Sequence, residues 1–436
     1  MHNIVIGLLF GDEAKGATTD YLCSVEPVDF VVRFSGGPQT AHNVILEDGT
    51  HHTFAQFGSG TFRGAKTLLS RFALVNPLNL INEANALEEV LGFDPLSLLF
   101  VSENSLMITP LHRRANQTRE RQRRAGAHGS CGQGIGEAMD YSIRYPEHAP
   151  LIGDLRDLPA LRRKLRLYKA WVEINLGVDL EDDVDAIIES YTAMMNERTI
   201  NIITDYQVIQ YIKNAKNLVF EGTQGTLLDE NFGFHPHTTW STTTAKNAQW
   251  LLEAADIPRS QYRVIGAMRT YMTRHGYGPF LSEFAPSYDW TQKFPEPHNK
   301  KGVFQGDWRV GRLDMNFLSY AIDANYEQVD AIALSHCDVP LDKIERSNIR
   351  LEMLKGDRDA QQRQTDAIFD ASFHRDNSDT STHKDEDPDT FVTLPITELE
   401  DLEKEIEFAT GAKVLIRSYG PTAEDRRWME PEKSVF

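Results

Sequence analysis

The apolar positions of this chain fall into short, nearly continuous runs, each stopped by a polar or glycine-bearing turn. The first run, Asn3 to Phe10, halts at Gly11-Asp12-Glu13. A short helical stretch then carries the chain to about Ser24, and Phe30-Val31-Val32-Arg33-Phe34 makes a second run. Runs of this length, bounded by turns, read as buried strands, and strand, turn, helix and strand in that order open a parallel-sheet unit. The same signal recurs at Asn217 to Phe220, Tyr262 to Gly266, Ala331 to Leu334 and Lys413 to Ile416. Helical periodicity marks Asn82 to Leu91, Arg113 to Arg124, Leu158 to Asn175 and Thr397 to Ala409. From about Gln362 to Asp389 the chain turns polar and loses its period, so residues 362–389 are expected to form a long mobile loop. No internal repeat is visible. The pattern predicts an α/β fold with a mostly parallel central sheet and flanking helices, with ligand groups at the carboxyl ends of the strands.

Composition narrows the function. With 436 residues, 41% hydrophobic and 25% charged, the chain can bury a large core as one elaborate α/β domain or two ordinary ones, and wholesale disorder is excluded. A net charge of −19 argues against a protein that coats nucleic acid. Small nucleotides need only a local anion site and stay in play. The N-terminal apolar run is too short for a membrane span and lacks a basic flank, so no membrane association is expected. Cys23, Cys131 and Cys337 lie far apart, with no CxxC pair and no zinc spacing, which suits a reduced, cytoplasmic setting.

Five segments carry candidate chemistry. Gly11-Asp12-Glu13-Ala14-Lys15-Gly16 joins a strand to a helix, where backbone N–H groups and Lys15 can receive an anion, although GxxxxGK[ST] is absent. The bland alternative is an acidic cap and a surface lysine. Ser35 to Asn43 places His42 on a glycine-bearing loop after a strand. Gly129 to Gly136 has four glycines in eight residues, which lets backbone approach a phosphate, with Ser130 as a donor. Glu221-Gly222-Thr223-Gln224-Gly225 and the hydroxyl-rich Thr238 to Thr244 can grip a sugar or phosphate, or be plain turns. Asp338, after a strand, can accept from N1–H and the 2-amino group of guanine. The arginines of Arg113 to Arg124 read as a solvated or subunit-facing helix, ahead of the alternative of a ligand site.

Taken in order, these segments resemble the adenylosuccinate synthetase family. GDEAKG resembles its GDEGKG loop, VVRFSGGPQTAH its VVRxxGGxNAGH segment, and GSCGQGIG its GTTGRGIG loop. FEGTQGTLLD is similar to FEGAQGTLLD, YMTRHGYGPF to Y-S-T-R-V-G-x-G-P-F, LSHCD to L-T-K-L-D, and SYGP to STGP. These motifs span residues 5 to 421. The resemblance implies one large domain over residues 1–436 with a P-loop-NTPase-like fold, acting as a homodimer. It implies a GTP-dependent, Mg²⁺-dependent ligase that phosphorylates the purine O6 of IMP and then joins C6 to aspartate. By the same resemblance Asp12 is the base and a Mg²⁺ ligand, His42 the acid at O6, Lys15 a phosphate cation and the Ala41 carbonyl a second Mg²⁺ ligand. Gln224 contacts the purine. Ser130, Cys131 and Thr239 line the 5′-phosphate site, Asp338 reads guanine, and Gly11, Glu13, Gly16, Gln39, Ser418 and Gly420 complete the nucleotide site.

The departures concentrate on the amino-acid pocket. Where the family has a Thr-Thr-Gly loop and several arginines that clamp aspartate, this chain has Val303-Phe304-Gln305-Gly306-Asp307-Trp308-Arg309. Val303, Gln305 and Arg309 are therefore the amino-acid candidates, one arginine remains, and Asp307 would repel a dicarboxylate. Lys300, Lys301 and Arg274 are candidates for the missing charge. Gln39, Cys131, Gln133 and His336 replace the family's asparagine, threonine, arginine and lysine. Two other readings stand beside IMP–aspartate ligation. One is the phage-type branch that acts on dGMP, from which retention of Asp12 inclines away. The other is a nucleotide sensor without turnover, whose sign would be loss of Asp12, Lys15 or His42.

Overall fold

The computed structural model describes residues 1–123, 130–284, 290, 294, 306–341, 343–347, 349–351, 357–378 and 391–429. Strands are numbered in chain order: β1 (His2–Gly7), β2 (Phe30–Arg33), β3 (His42–Ile45), β4 (His51–Phe54), β5 (Lys66–Leu69), β6 (Leu99–Ser102), β7 (Asn201–Ile203), β8 (Leu218–Glu221), β9 (Tyr262–Arg269), β10 (Met272–His275), β11 (Trp308–Gly311), β12 (Ala331–Ser335), β13 (Ile344–Ser347), β14 (Phe391–Leu394), β15 (Lys413–Ser418) and β16 (Arg426–Trp428). Ten of them form one sheet in the order β16-β15-β12-β9-β1-β8-β2-β5-β6-β7. Every neighbouring pair is parallel except β15/β16. The remaining strands pair as antiparallel ribbons, β3/β4, β10/β11 and β13/β14.

Both faces of the sheet are covered, which is why its strands read as unbroken apolar runs. Ile4, Ile6, Val32, Phe220, Val264 and Ile332 share one buried cluster with Leu251, Phe317 and Ile406. Val5, Val31, Val219 and Ile265 point the other way, against Tyr21 and Leu22 of α1 (Lys15–Val25). A further cluster beside the sheet joins α2 (Pro77–Leu91), α3 (Pro110–Arg123), α5 (Leu158–Leu176) and α6 (Val184–Glu197). α4 (Ile135–Arg144), α7 (Asp205–Asn214), α8 (Lys246–Ala254), α9 (Met315–Ala324), α10 (Arg358–Ser378) and α11 (Leu399–Thr410) complete the described helices. The expected start of α2 at Asn82 is five residues late. Pro77 is not a breaker here but the first helical residue, and Asn76 caps the helix by accepting from Asn79 N at 3.1 Å.

The expected loop over residues 362–389 is corrected in its first part. Residues 362–378 belong to α10, and 379–390 lie outside the described residues. The buried seam of this helix is Gln361, Thr365 and Ile368, at 3%, 0% and 0% exposure. That spacing is helical, but two of the three positions are polar, so hydrophobic periodicity cannot register it. The Gln361 amide satisfies itself by donating to Asn231 O at 2.6 Å. Ile368→Ala should therefore cost about 2–4 kcal/mol in chemical denaturation, as a core truncation does. A residue on a free loop would cost under about 0.5 kcal/mol.

Candidate functional site

The parallel order brings the carboxyl ends of β1, β8, β9 and β12 to one edge. The turn after β1 holds Gly11, Asp12 and Ala14 at φ 94°, 55° and 59° before α1 begins at Lys15. Two of these residues carry side chains in left-handed backbone, a strain that concentrates at functional sites. Glu13 turns inward, its carboxylate accepting from Leu9 N at 2.5 Å and lying 3.8 Å from Lys15 Nζ. Burial pushes the Glu13 carboxyl up to about 7 and pushes the Lys15 ammonium down. An arriving phosphate would favour the charged lysine again. Gly16 is required by contact, because a Cβ there would meet His42 Cβ at 2.4 Å.

His42 opens β3 and reaches the end of β8, where its Nδ1 lies 2.6 Å from Glu221 Oε1. Glu221 is fully buried and also accepts from Ser59 N at 3.0 Å and from the Ser59 hydroxyl, with Arg33 Nη1 4.0 Å away. Burial opposes its ionisation, but the Arg33 and His42 charges and the His42 and Ser59 hydrogen bonds outweigh it and hold the carboxyl at about 2. An ionised carboxylate only accepts, so Nδ1 carries the proton and donates. Burial lowers the His42 pKa against the pull of Glu221. Its Nε2 has no protein partner among the described residues.

The glycine-rich loop lies between α3 and α4. Asn116 of α3 ties it down, donating to Ser130 Oγ at 2.9 Å and accepting from Gly134 N at 3.1 Å. Gly134 sits at φ 90°, and a Cβ there would strike the His112 carbonyl carbon at 2.7 Å. Arg119 forks onto Glu137 of α4 at 2.6 and 3.0 Å. Arg119 and Arg123 line the cavity, whereas Arg114 is exposed and paired with Asp182. At the other end, Cys337 N donates to Ser418 O at 2.9 Å, bringing Asp338 together with Ser418 and Gly420.

These groups line one cavity of about 1070 Å³. All of the catalytic, nucleotide and metal candidates face it: Asp12, His42, Lys15 and Gln224; Gly11, Glu13, Gly16, Gln39, Ser130, Cys131, Thr239, Asp338, Ser418 and Gly420; and Ala41. Both amide atoms of Gln39 and Oε1 of Gln224 are buried without a partner, so they await a polar ligand. The amino-acid candidates fare differently. Arg309 does not line the cavity, because its guanidinium already forks onto Glu283, with Nε–Oε1 at 2.8 Å, and donates to Gly276 O and Gly278 O at 3.0 and 2.8 Å. Val303 and Gln305, like Lys300 and Lys301, lie outside the described residues. Arg274 lines the cavity but donates to Tyr277 O, Pro279 O and His237 O at 3.2, 2.9 and 3.3 Å.

Sequence reasoning assigned no role to three residues that matter here. Glu221 ends an apolar strand, and a carboxylate there must find a partner. His275, where the family pattern has valine, brings Nε2 within 3.4 Å of Asp12 Oδ2. Arg358, the first residue of the helix that takes up the first part of the expected loop, lines the same cavity. As for a metal, the Asp12 carboxylate and the exposed Ala41 backbone offer hard oxygen donors. No group of three or more acidic, His or Cys side chains that could cage an ion occurs among the described residues. That donor set fits a cation such as Mg²⁺, which completes its shell with water and phosphate oxygens.

Glu221 yields a signed test. Its folded pKa is depressed from 4.5 to about 2, so its contribution is present above pH 4.5 and is lost as pH falls toward 2. Glu221→Gln should be destabilised by about 3–5 kcal/mol at pH 7, the cost of breaking a buried pair. Urea titrations at several pH values should show that gap closing between pH 4.5 and 2.

The adenylosuccinate synthetase family profile matches residues 4–426. The adenylosuccinate synthetase of Thermoplasma acidophilum is 30% identical over 341 residues, covering 77% of this chain and 75% of that protein. The fully ligated adenylosuccinate synthetase of Plasmodium falciparum superposes with a TM-score of 0.76 at 19% identity, covering 98% of this chain and 100% of that one. The succinoaminodeoxyadenylate synthetase of cyanophage S-2L, solved with dGMP and dATP as an energy donor, gives 0.60 at 17% identity, covering 98% and 95%. The last two likenesses bear on the fold. No described helix is long and apolar enough to cross a membrane. The profile and the relative together show that this chain belongs to the adenylosuccinate synthetase family of GTP-dependent ligases.

Proposed function

We propose that the chain joins IMP to aspartate, forming adenylosuccinate, GDP and phosphate, and works as a homodimer. The observation that carries this reading is the unpaired amide of Gln39 and the unpaired Oε1 of Gln224, which face the same cavity as the Asp12 carboxylate and the His42 imidazole. Asp12 takes the N1 proton of the purine, which makes O6 nucleophilic toward the γ-phosphorus, and GDP leaves. His42 presents Nε2 to O6. As phosphoryl charge gathers there, the Glu221 anion behind the ring favours the imidazolium, which then donates. The amine of aspartate next adds to C6, and phosphate departs with O6. Lys15 and the N-terminus of α1 take up phosphate charge. Asp12 and the Ala41 carbonyl would hold Mg²⁺, which when bound neutralises charge on the phosphates.

Phosphate release that requires GTP, IMP and aspartate together, with adenylosuccinate identified by mass spectrometry, tests the proposal. Release that needs no purine monophosphate, or that is supported by dGMP and not IMP, overturns it. Asp12→Asn and His42→Asn should each lower turnover by about 10²-fold or more while melting near the wild-type temperature. Asp338→Asn should weaken GTP more than ATP, by about 1–3 kcal/mol in the ratio of kcat/KM. Equal use of ATP and GTP by the unaltered protein would remove Asp338 from guanine recognition.

A further inference from the structure

A carboxylate acts on one edge of a purine only if it is aimed there, and the aim of Asp12 is set by its backbone. Asp12 sits at φ 55° in the turn after β1, and its side chain is 35% exposed, so packing does little to fix it. Left-handed backbone at a residue with a Cβ persists only where the surroundings hold it. The neighbouring strand provides that hold. β9 runs parallel to β1 and pairs Ala267 with Gly7, which leaves Arg269 just past the end of β1 and beside the turn. Arg269 Nε donates to the Asp12 carbonyl oxygen.

Arg269 is itself braced. It is 6% exposed, its Nη1 donates to Tyr271 Oη at 2.7 Å, and its guanidinium carbon lies 5.3 and 5.6 Å from the centres of the Tyr271 and Trp308 rings. Thr270, the next residue, donates from its N–H to Ser335 O at 3.1 Å and from its hydroxyl to His336 O at 3.0 Å, which anchors the end of β9 to the end of β12. The guanidinium therefore reaches Asp12 from a fixed platform, and a hydrogen bond from a charged donor is about twice as strong as a neutral one. The following strand brings His275 Nε2 within 3.4 Å of Asp12 Oδ2. Asp12 is thus met at its carbonyl from β9 and at its carboxylate from β10.

We propose that Arg269 is a positioning residue for the ligase reaction: through the Asp12 carbonyl it holds the turn in the left-handed form that aims the carboxylate at the purine N1. This rests on the reading of Asp12 as the base given above. Without the hold, Asp12 relaxes toward the negative φ that residues with a Cβ favour, and the carboxylate swings with it. A displacement of about 1 Å is enough to cost about 10²-fold in rate. A lysine at this position keeps the charge but loses the planar fork that reaches Asp12 and Tyr271 together.

A double-mutant cycle on the full chain tests this. Arg269→Met should lower kcat by about tenfold or more and Arg269→Lys by less, with KM for IMP and for GTP within about twofold of wild type. In the Asp12→Asn background, Arg269→Met should lower the residual kcat by less than about twofold, because a residue that acts through Asp12 then has nothing to aim. A second full loss in that background, or a loss carried by KM, overturns the proposal, since Arg269 would then act on a substrate or on the fold at large. If Arg269→Met does not fold, Tyr271→Phe, which removes only the hydroxyl that Nη1 meets, should show the same split between kcat and KM at smaller size. Amide exchange over residues 8–16 of the protein without ligands gives a readout independent of turnover, and it should quicken by about threefold or more in Arg269→Met. If the wild type releases no phosphate with IMP, GTP and aspartate, the ligase reading fails and the exchange result alone decides the hold on the turn. If the wild type turns over while Arg269→Met keeps both its kcat and its exchange unchanged, the hold fails and the ligase reading stands.

Discussion

A carboxylate sealed from water at the end of a central strand must be answered by charge and hydrogen bonds, and Glu221 imposes that demand on this fold. At 0% exposure it is met by His42 from one ribbon, Ser59 from a loop and Arg33 from the neighbouring strand. Each of these comes from a different part of the chain, so satisfying one carboxylate fixes the relative positions of β2, β3 and β8. The same contact gives His42 its tautomer. The close approach of Gly16 to His42 then ties the start of α1 to the same point, so the turn after β1 and the imidazole are held as one unit.

Around that fixed point the site is built for a guest. Asp12, Ala14 and Gln224 are held at positive φ, costing on the order of 1–3 kcal/mol each. Gln39 and Gln224 keep buried amide atoms without partners. Strain and unmade hydrogen bonds destabilise the protein on its own, and a ligand that supplies the complementary groups satisfies the unmade bonds. A purine, with donors and acceptors around its rim, is such a ligand. The rigid parallel sheet is what lets the protein tolerate this incompleteness at one edge.

Much of this was readable from residues alone, and where it was not the reasons are specific. The strands were legible because both sheet faces are covered, so Val5 and Ile6 are both apolar though they face opposite layers. The turn, the His42 loop and the glycine-rich loop were legible because backbone approach demands glycine and small polar residues at fixed places. The helix α10 was not, because its seam uses Gln361 and Thr365, whose burial depends on a partner 130 residues away, Asn231, in the case of the glutamine. The pairing of His275 with Asp12 was equally hidden, since periodicity says nothing about which strand ends meet in space.

Arg309 shows why a retained residue type is weak evidence for a retained role. For a substrate carboxylate to use it, Glu283 would have to give up a forked pair, and the incoming group would have to match it. Glu283 is on the same chain and already in place, so it competes at an effective concentration that a dilute metabolite does not reach. Freeing Arg309 would also leave Glu283 without its cation. The hairpin therefore keeps its arginine for its own cohesion.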